Sequence, residues 1–85
     1  GSDVDLVLSL LKESAKEHED VSSDKIEARF IDFGDSSLDF QLLFFSKNVF
    51  RIETTLSDIR KTINRKFIEN NVNIPFPQMD VHLNK

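Results

Sequence analysis

Two prolines, Pro75 and Pro77, stand two residues apart just ahead of an alternating run, Met79-Asp80-Val81-His82-Leu83. Backbone N–H groups at i and i+2 of an extended chain point to one side, and proline has none. One side of this approach therefore cannot donate to a neighbour, while Phe76 and Gln78 can donate on the other. Met79, Val81 and Leu83 alternate with Asp80 and His82, the period of a strand with two unlike faces. Whatever this chain folds into must seat a strand that pairs unequally on its two sides.

A length of 85 residues allows one small domain with a single core. With 39% hydrophobic and 31% charged residues, the composition is globular rather than disordered. A formal charge of −4 argues against a nucleic-acid binder, which is normally basic. Absence of cysteine rules out disulfides and thiolate metal sites. All 8 aromatics are Phe, which bring no polar tip and read as packing material. Gly1-Ser2 reads as a cloning scar, and 3–85 as a piece of something longer. No apolar run approaches the roughly 20 residues that cross a bilayer, so any membrane contact is expected upstream of Asp3.

Asp3 or Asp5 can cap a first helix reaching to about residue 19. Val4, Val7, Leu8, Leu11, Ala15 and His18 share one stripe, and Leu6 and Leu10 are placed on the face away from it. Residues 20–24 read as a loop. Strands over 25–33 and 38–46 flank a turn at Gly34-Asp35-Ser36-Ser37 and form a hairpin. In the first, Ile26, Ala28 and Phe30 alternate with Glu27 and Arg29. In the second, Leu38, Phe40, Leu42 and Phe44 share one face and Asp39, Gln41, Leu43 and Phe45 the other. Thr55 can cap a second helix, with Asp58 completing a weak capping box. Leu56, Ile59, Ile63 and Phe67 follow on one face. Asn70-Asn71 closes it, Asn tolerating the left-handed conformation of a C-terminal cap, with Val72 folding back on Phe67. The order αββαβ is a two-layer, α+β, ferredoxin-like arrangement lacking its first strand. In that fold the first strand is central, so the last strand is expected to lack its neighbour within this chain.

Chemistry-bearing residues are few. His18 and His82 are far apart in sequence and read as structural rather than metal-binding. Ser36 and Ser37 beside Asp35 suit turn chemistry better than a nucleophile. Arg60, Lys61, Arg65 and Lys66 form a basic cluster that reads as a solvated face, with Glu69 available to pair with Arg65 or Lys66. No catalytic or metal site and no cofactor is expected. Leu6, Leu10, Leu43 and Phe45 are apolar positions that a two-layer monomer leaves uncovered, and they read as interface candidates.

"FGDSSLDFQLLFF", the helix "LSDIRKTINRKF" and above all "NNVNIPFPQMDVHL" resemble the C-terminal cytoplasmic domain of small-conductance mechanosensitive channels, over essentially the whole chain. Asn71 stands where that family commonly has Gly, and Phe45 where Trp is common. The resemblance implies a subunit of a homoheptamer of the bacterial inner membrane that releases ions and osmolytes on hypoosmotic shock. This domain would be part of a cytoplasmic vestibule, not an enzyme. Its strand at 78–83 would join a parallel β-barrel, with Pro77, Gln78, Met79, Asp80, Val81 and His82 as the subunit interface. Self-association is the implied partnership, without nucleic acid and with membrane contact only through upstream regions. Asp32, Asp35 and Asp39 could bias ion traffic at the vestibule portals. The rival reading is a soluble ferredoxin-like module for a ligand or RNA, since that scaffold serves many functions. The sheet lacks the glycines and basic lead-in of an RNA-recognition strand.

Overall fold

Asp3 Oδ1 accepts the Leu6 N–H at 3.1 Å, so the first expected cap is the one used. The structure is a computed structural model that describes residues 3–31, 39–74 and 77–83. Helix α1 runs Val4–Lys16, strand β1 Val21–Ile31, strand β2 Asp39–Ser46, a 3₁₀ turn Val49–Arg51, helix α2 Ile52–Glu69 and strand β3 Gln78–Leu83. This is the expected αββαβ order in a mixed α+β, two-layer domain consistent with a ferredoxin-like fold lacking a strand. The expected turn at 34–37 and the acidic Asp32 and Asp35 lie outside the described residues.

Helix α1 stops before residue 19 because its last turn is satisfied early. Glu17 N–H reaches Glu13 O, His18 N–H reaches Ala15 O, and the Asp20 N–H then bonds the His18 ring. Its buried face is Val7, Leu10, Leu11, Ser14 and Ala15. Leu10, expected on an uncovered face, is in the core at 6% exposure, and Leu6 is half-buried against it. Ser14 is the reason. Its hydroxyl donates to the Leu10 carbonyl at 2.7 Å, so the one polar side chain on that flank is satisfied and buried. The stripe is thereby centred between Leu10 and Leu11.

Strand β2 has the cleanest pattern, with Phe40, Leu42, Phe44 and Ser46 buried under the helices and Asp39, Gln41, Leu43 and Phe45 half-buried on the other face. Strand β1 pairs with it antiparallel, beginning at Val21↔Ser46 rather than at residue 25. The expected loop at 20–24 is thus partly strand. Between Ser22↔Phe45 and Glu27↔Leu43 the register advances five steps along β1 against two along β2. That bulge hides the strand's beginning from a period-of-two reading.

Helix α2 begins before its expected cap. Asn48 Oδ1 accepts the Phe50 N–H at 3.1 Å and starts the 3₁₀ turn that leads into it. Thr55 lies inside the helix, buried, its hydroxyl donating to the Arg51 carbonyl at 3.0 Å. With Ile59, Ile63 and Phe67 it makes the buried stripe. The C-terminus closes as expected. Asn71 has φ 57°, the Val72 N–H reaches Phe67 O at 2.8 Å and the Asn71 N–H reaches Ile68 O at 3.3 Å.

One topological expectation is overturned. Strand β3 does not lack a partner in the chain. It runs parallel to β2 from Gln41↔Gln78 to Ser46↔Leu83, making the sheet order β1-β2-β3 with α2 as the crossover. With the first strand absent, the second edge of β2 would be bare beside Phe40, Leu42 and Phe44. Laying β3 there pairs that edge and packs Met79 and Val81 against the core.

Candidate functional site: the open sheet face and the last strand

The helices cover one face of the sheet, and the side chains of chemical interest gather on the other. Alternation along β2 turns Gln41, Leu43 and Phe45 outward. The pairing registers set their neighbours in three rows: Arg29, Gln41 and Gln78; Glu27, Leu43 and Asp80; Ser22, Phe45 and His82. The floor is apolar at Leu43 and Phe45, and the flanks are polar.

Those flanks are held by local pairs. Arg29 Nη2 donates to Glu27 Oε2 at 3.0 Å, and Gln41 Nε2 donates to Asp80 Oδ2. The Arg29 guanidinium, first by that hydrogen bond and then by its charge, holds the Glu27 carboxyl below the usual glutamate value. Lys25 Nζ stands 5.5 Å from the Phe45 ring centre, and the His82 ring lies 5.2 Å away at 34°. A shallow concavity of about 460 Å³ lies over this floor, rimmed by Lys25, Glu27, Arg29 and His82. An apolar floor with a charged rim suits the reception of a side chain from another surface. Among the described residues there is no cluster of three or more His, Asp or Glu that could hold a metal.

The strand residues singled out by sequence divide between the two faces. Gln78, Asp80 and His82 are exposed on the open face, while Met79 and Val81 are half-buried against the core. Pro77 is half-buried just ahead of the strand. Of the apolar candidates, Leu43 and Phe45 sit side by side on the open face, whereas Leu6 and Leu10 belong to the helix layer.

The two histidines lie on opposite sides of the sheet, His82 on the open face and His18 beneath the helices. His18 Nδ1 accepts the Asp20 N–H at 3.0 Å, which leaves Nε2 to donate to Asp58 at 2.9 Å. Asp20 in turn meets Arg51 Nε and Thr55 Oγ1, both at 3.3 Å. This polar knot ties the end of α1 to the start of α2. Asp58 as the partner was not readable from sequence, being 40 residues away from His18.

The basic cluster on α2 is half spent. Lys66 pairs with Glu17 at 2.6 Å and Glu13 at 3.8 Å, and Arg65 with Glu17 at 3.6 Å. Glu13 of α1 and Glu17 at its C-cap therefore take the part expected of Glu69, because the helices pack side by side. Arg60 and Lys61 are exposed. The most exposed aromatic among the described residues was also missed. Phe50 is 97% exposed in the 3₁₀ turn, and its only sequence signal is that it falls outside every apolar period.

The uncovered sheet face thus offers an apolar floor and a charged rim. Residues 1–74 match the family described as "Mechanosensitive ion channel MscS, C-terminal". The chain belongs to that family, which is one of ion channels rather than of enzymes, and its channels are oligomeric. It is 38% identical over 85 residues, 99% of its length, to an uncharacterized MscS family protein of Buchnera aphidicola subsp. Acyrthosiphon pisum. It is 37% identical over 84 residues to an uncharacterized MscS family protein of Haemophilus influenzae, covering 98% of this chain. A third, from Synechocystis, is 43% identical over 54 residues, 61% of this chain and 17% of that protein. The chain spans 28% of the Buchnera protein and 8% of the Haemophilus one. No helix among the described residues is long and apolar enough to cross a membrane.

Proposed function

We propose that this chain is the cytoplasmic vestibule and assembly domain of a small-conductance mechanosensitive channel, carried by a longer protein that supplies the pore. The observation that carries this reading is the family match over residues 1–74, almost the whole chain. The channel is proposed to be a homoheptamer of the bacterial inner membrane that opens under bilayer tension and releases ions and osmolytes on hypoosmotic shock. The domain's task is mechanical: to hold subunits together while the pore opens.

Subunit contact falls to β3 and to the open face beside it. One edge of β3 is taken by β2, so among the described residues the sheet's free edges are those of β1 and β3. Closing 78–83 into a small parallel barrel, each strand giving one edge and taking another, would require β3 to leave β2. With β3 as found, its remaining edge and the neighbouring Leu43 and Phe45 make the contact. The soluble RNA-module reading finds no support on this face. Glu27 and Asp80 flank Leu43, and Arg29 is engaged by Glu27, which sets the face against a phosphate backbone.

The test is electrical. Membrane patches carrying the longer protein should show tension-gated currents, and cells lacking it should survive hypoosmotic shock less well. Patches silent at lytic tension would refute the reading.

A further inference from the structure

Phe50 is displayed, not merely uncovered. Its N–H is held by Asn48 Oδ1 at 3.1 Å, and the Asn48 carbonyl takes the Arg51 N–H at 3.2 Å and the Ser46 hydroxyl at 3.2 Å. The Lys47 N–H is bonded to Asp20 O at 2.7 Å. The backbone that presents the ring is thus fixed on both sides, while the ring itself touches almost nothing in its own chain at 97% exposure. A rigid aromatic loses little conformational freedom on binding, which is why such residues dominate interface energetics.

The same molecule carries a place for a ring. The concavity of about 460 Å³ over Leu43 and Phe45 is apolar at its floor and open to solvent. Phe50 stands in the turn between β2 and α2 and does not line the hole, so one copy does not fill its own hole. Charge agrees with the match. Exposed Glu53 follows Phe50 by one helical step of three, and exposed Lys25 stands at the rim of the hole.

We propose that Phe50 of one copy seats in the Leu43–Phe45 concavity of a second copy, with Glu53 beside Lys25. Knob and hole are different surfaces, so the contact is head-to-tail and repeats from copy to copy, the kind that closes into a ring when its rotation permits. The inference rests on the assembly reading above and supplies a contact for it on the open face, next to His82 of β3.

Absence of cysteine in the chain makes the test direct. The double variant Glu53→Cys with Lys25→Cys keeps Phe50 and the Leu43–Phe45 floor, and mildly oxidised at high concentration it should give a ladder of linked species. Glu53→Cys with Ile68→Cys, whose second site is exposed and does not line the hole, should give far less. In heteronuclear NMR, dilution should move the amides of Leu43, Phe45 and His82, and Phe50→Ser should weaken that association roughly ten-fold or more. Phe50 packs on nothing, so the serine variant keeps its fold, which unchanged core resonances verify. Equal ladders from both cysteine pairs, or no concentration dependence of the unaltered chain up to about 1 mM, would overturn the proposal. So would undiminished association of Phe50→Ser. Loss of this contact with tension-gated currents intact would leave the channel reading standing.

Discussion

Val81→Asp is the substitution that asks most of this structure. Val81 lies opposite Phe44 in the β2–β3 register and is half-buried on the helix-covered face. Removing that burial costs about 1 kcal/mol, taking half of the full value for a valine. Placing a carboxylate against Leu42 and Phe44 without a partner adds roughly 1–3 kcal/mol. The total, about 2–4 kcal/mol, is a large fraction of the roughly 4–13 kcal/mol available to a chain of this length. With a urea slope of about 1 kcal/mol/M, the unfolding midpoint of the 85-residue chain should fall by roughly 2–4 M, close to loss of the folded state. His82→Asp puts the same charge on the next residue but on the open face. It should cost about 1 kcal/mol or less, mainly the ring contact with Phe45. The pair therefore reads the register of β3, since a slip of one residue exchanges the two faces. Equal midpoints for the two variants, or a greater loss in His82→Asp, would refute the in-chain seating of β3.

Other outcomes follow from single contacts. Asn71→Val should lower stability by about 1 kcal/mol, because a β-branched residue resists positive φ, whereas Asn71→Gly should hold or raise the melting temperature. His18→Ala leaves the Asp20 N–H and Asp58 without their partner and should cost about 2 kcal/mol in urea unfolding, a loss that Asp58→Asn should reproduce only in part. The Glu27 carboxyl should titrate below the ordinary glutamate value by NMR and move back up in Arg29→Ala. Because its folded-state value is depressed, whatever stability the pair gives is present above the unfolded value and fades as pH falls through the folded one. The pair is exposed, so salt should suppress the shift.

What the sequence made legible was whatever one element decides for itself. The α2 stripe at Ile59, Ile63 and Phe67, the Asn71 cap with Val72 folding back, and the alternation of β2 each follow from local period or backbone preference. What it hid depends on a partner elsewhere. Ser14 let Leu10 into the core, the bulge after Ser22 concealed the start of β1, and Thr55 found a helical carbonyl instead of capping. The seating of β3 on β2 is decided by which edge is left bare once the first strand is absent, and no run of residues states that. The candidate site was half legible for the same reason. Leu43 and Phe45 announce an uncovered apolar face, but the Lys25, Glu27 and His82 rim exists only after three strands are in register.

The measurement closest to the central claim is the fractionation and native mass of the protein that carries this chain, followed with an antibody against residues 3–85. Recovery only from detergent-solubilised membranes, as a complex of several copies, is the expected result. Recovery from the aqueous fraction as a single copy would contradict it.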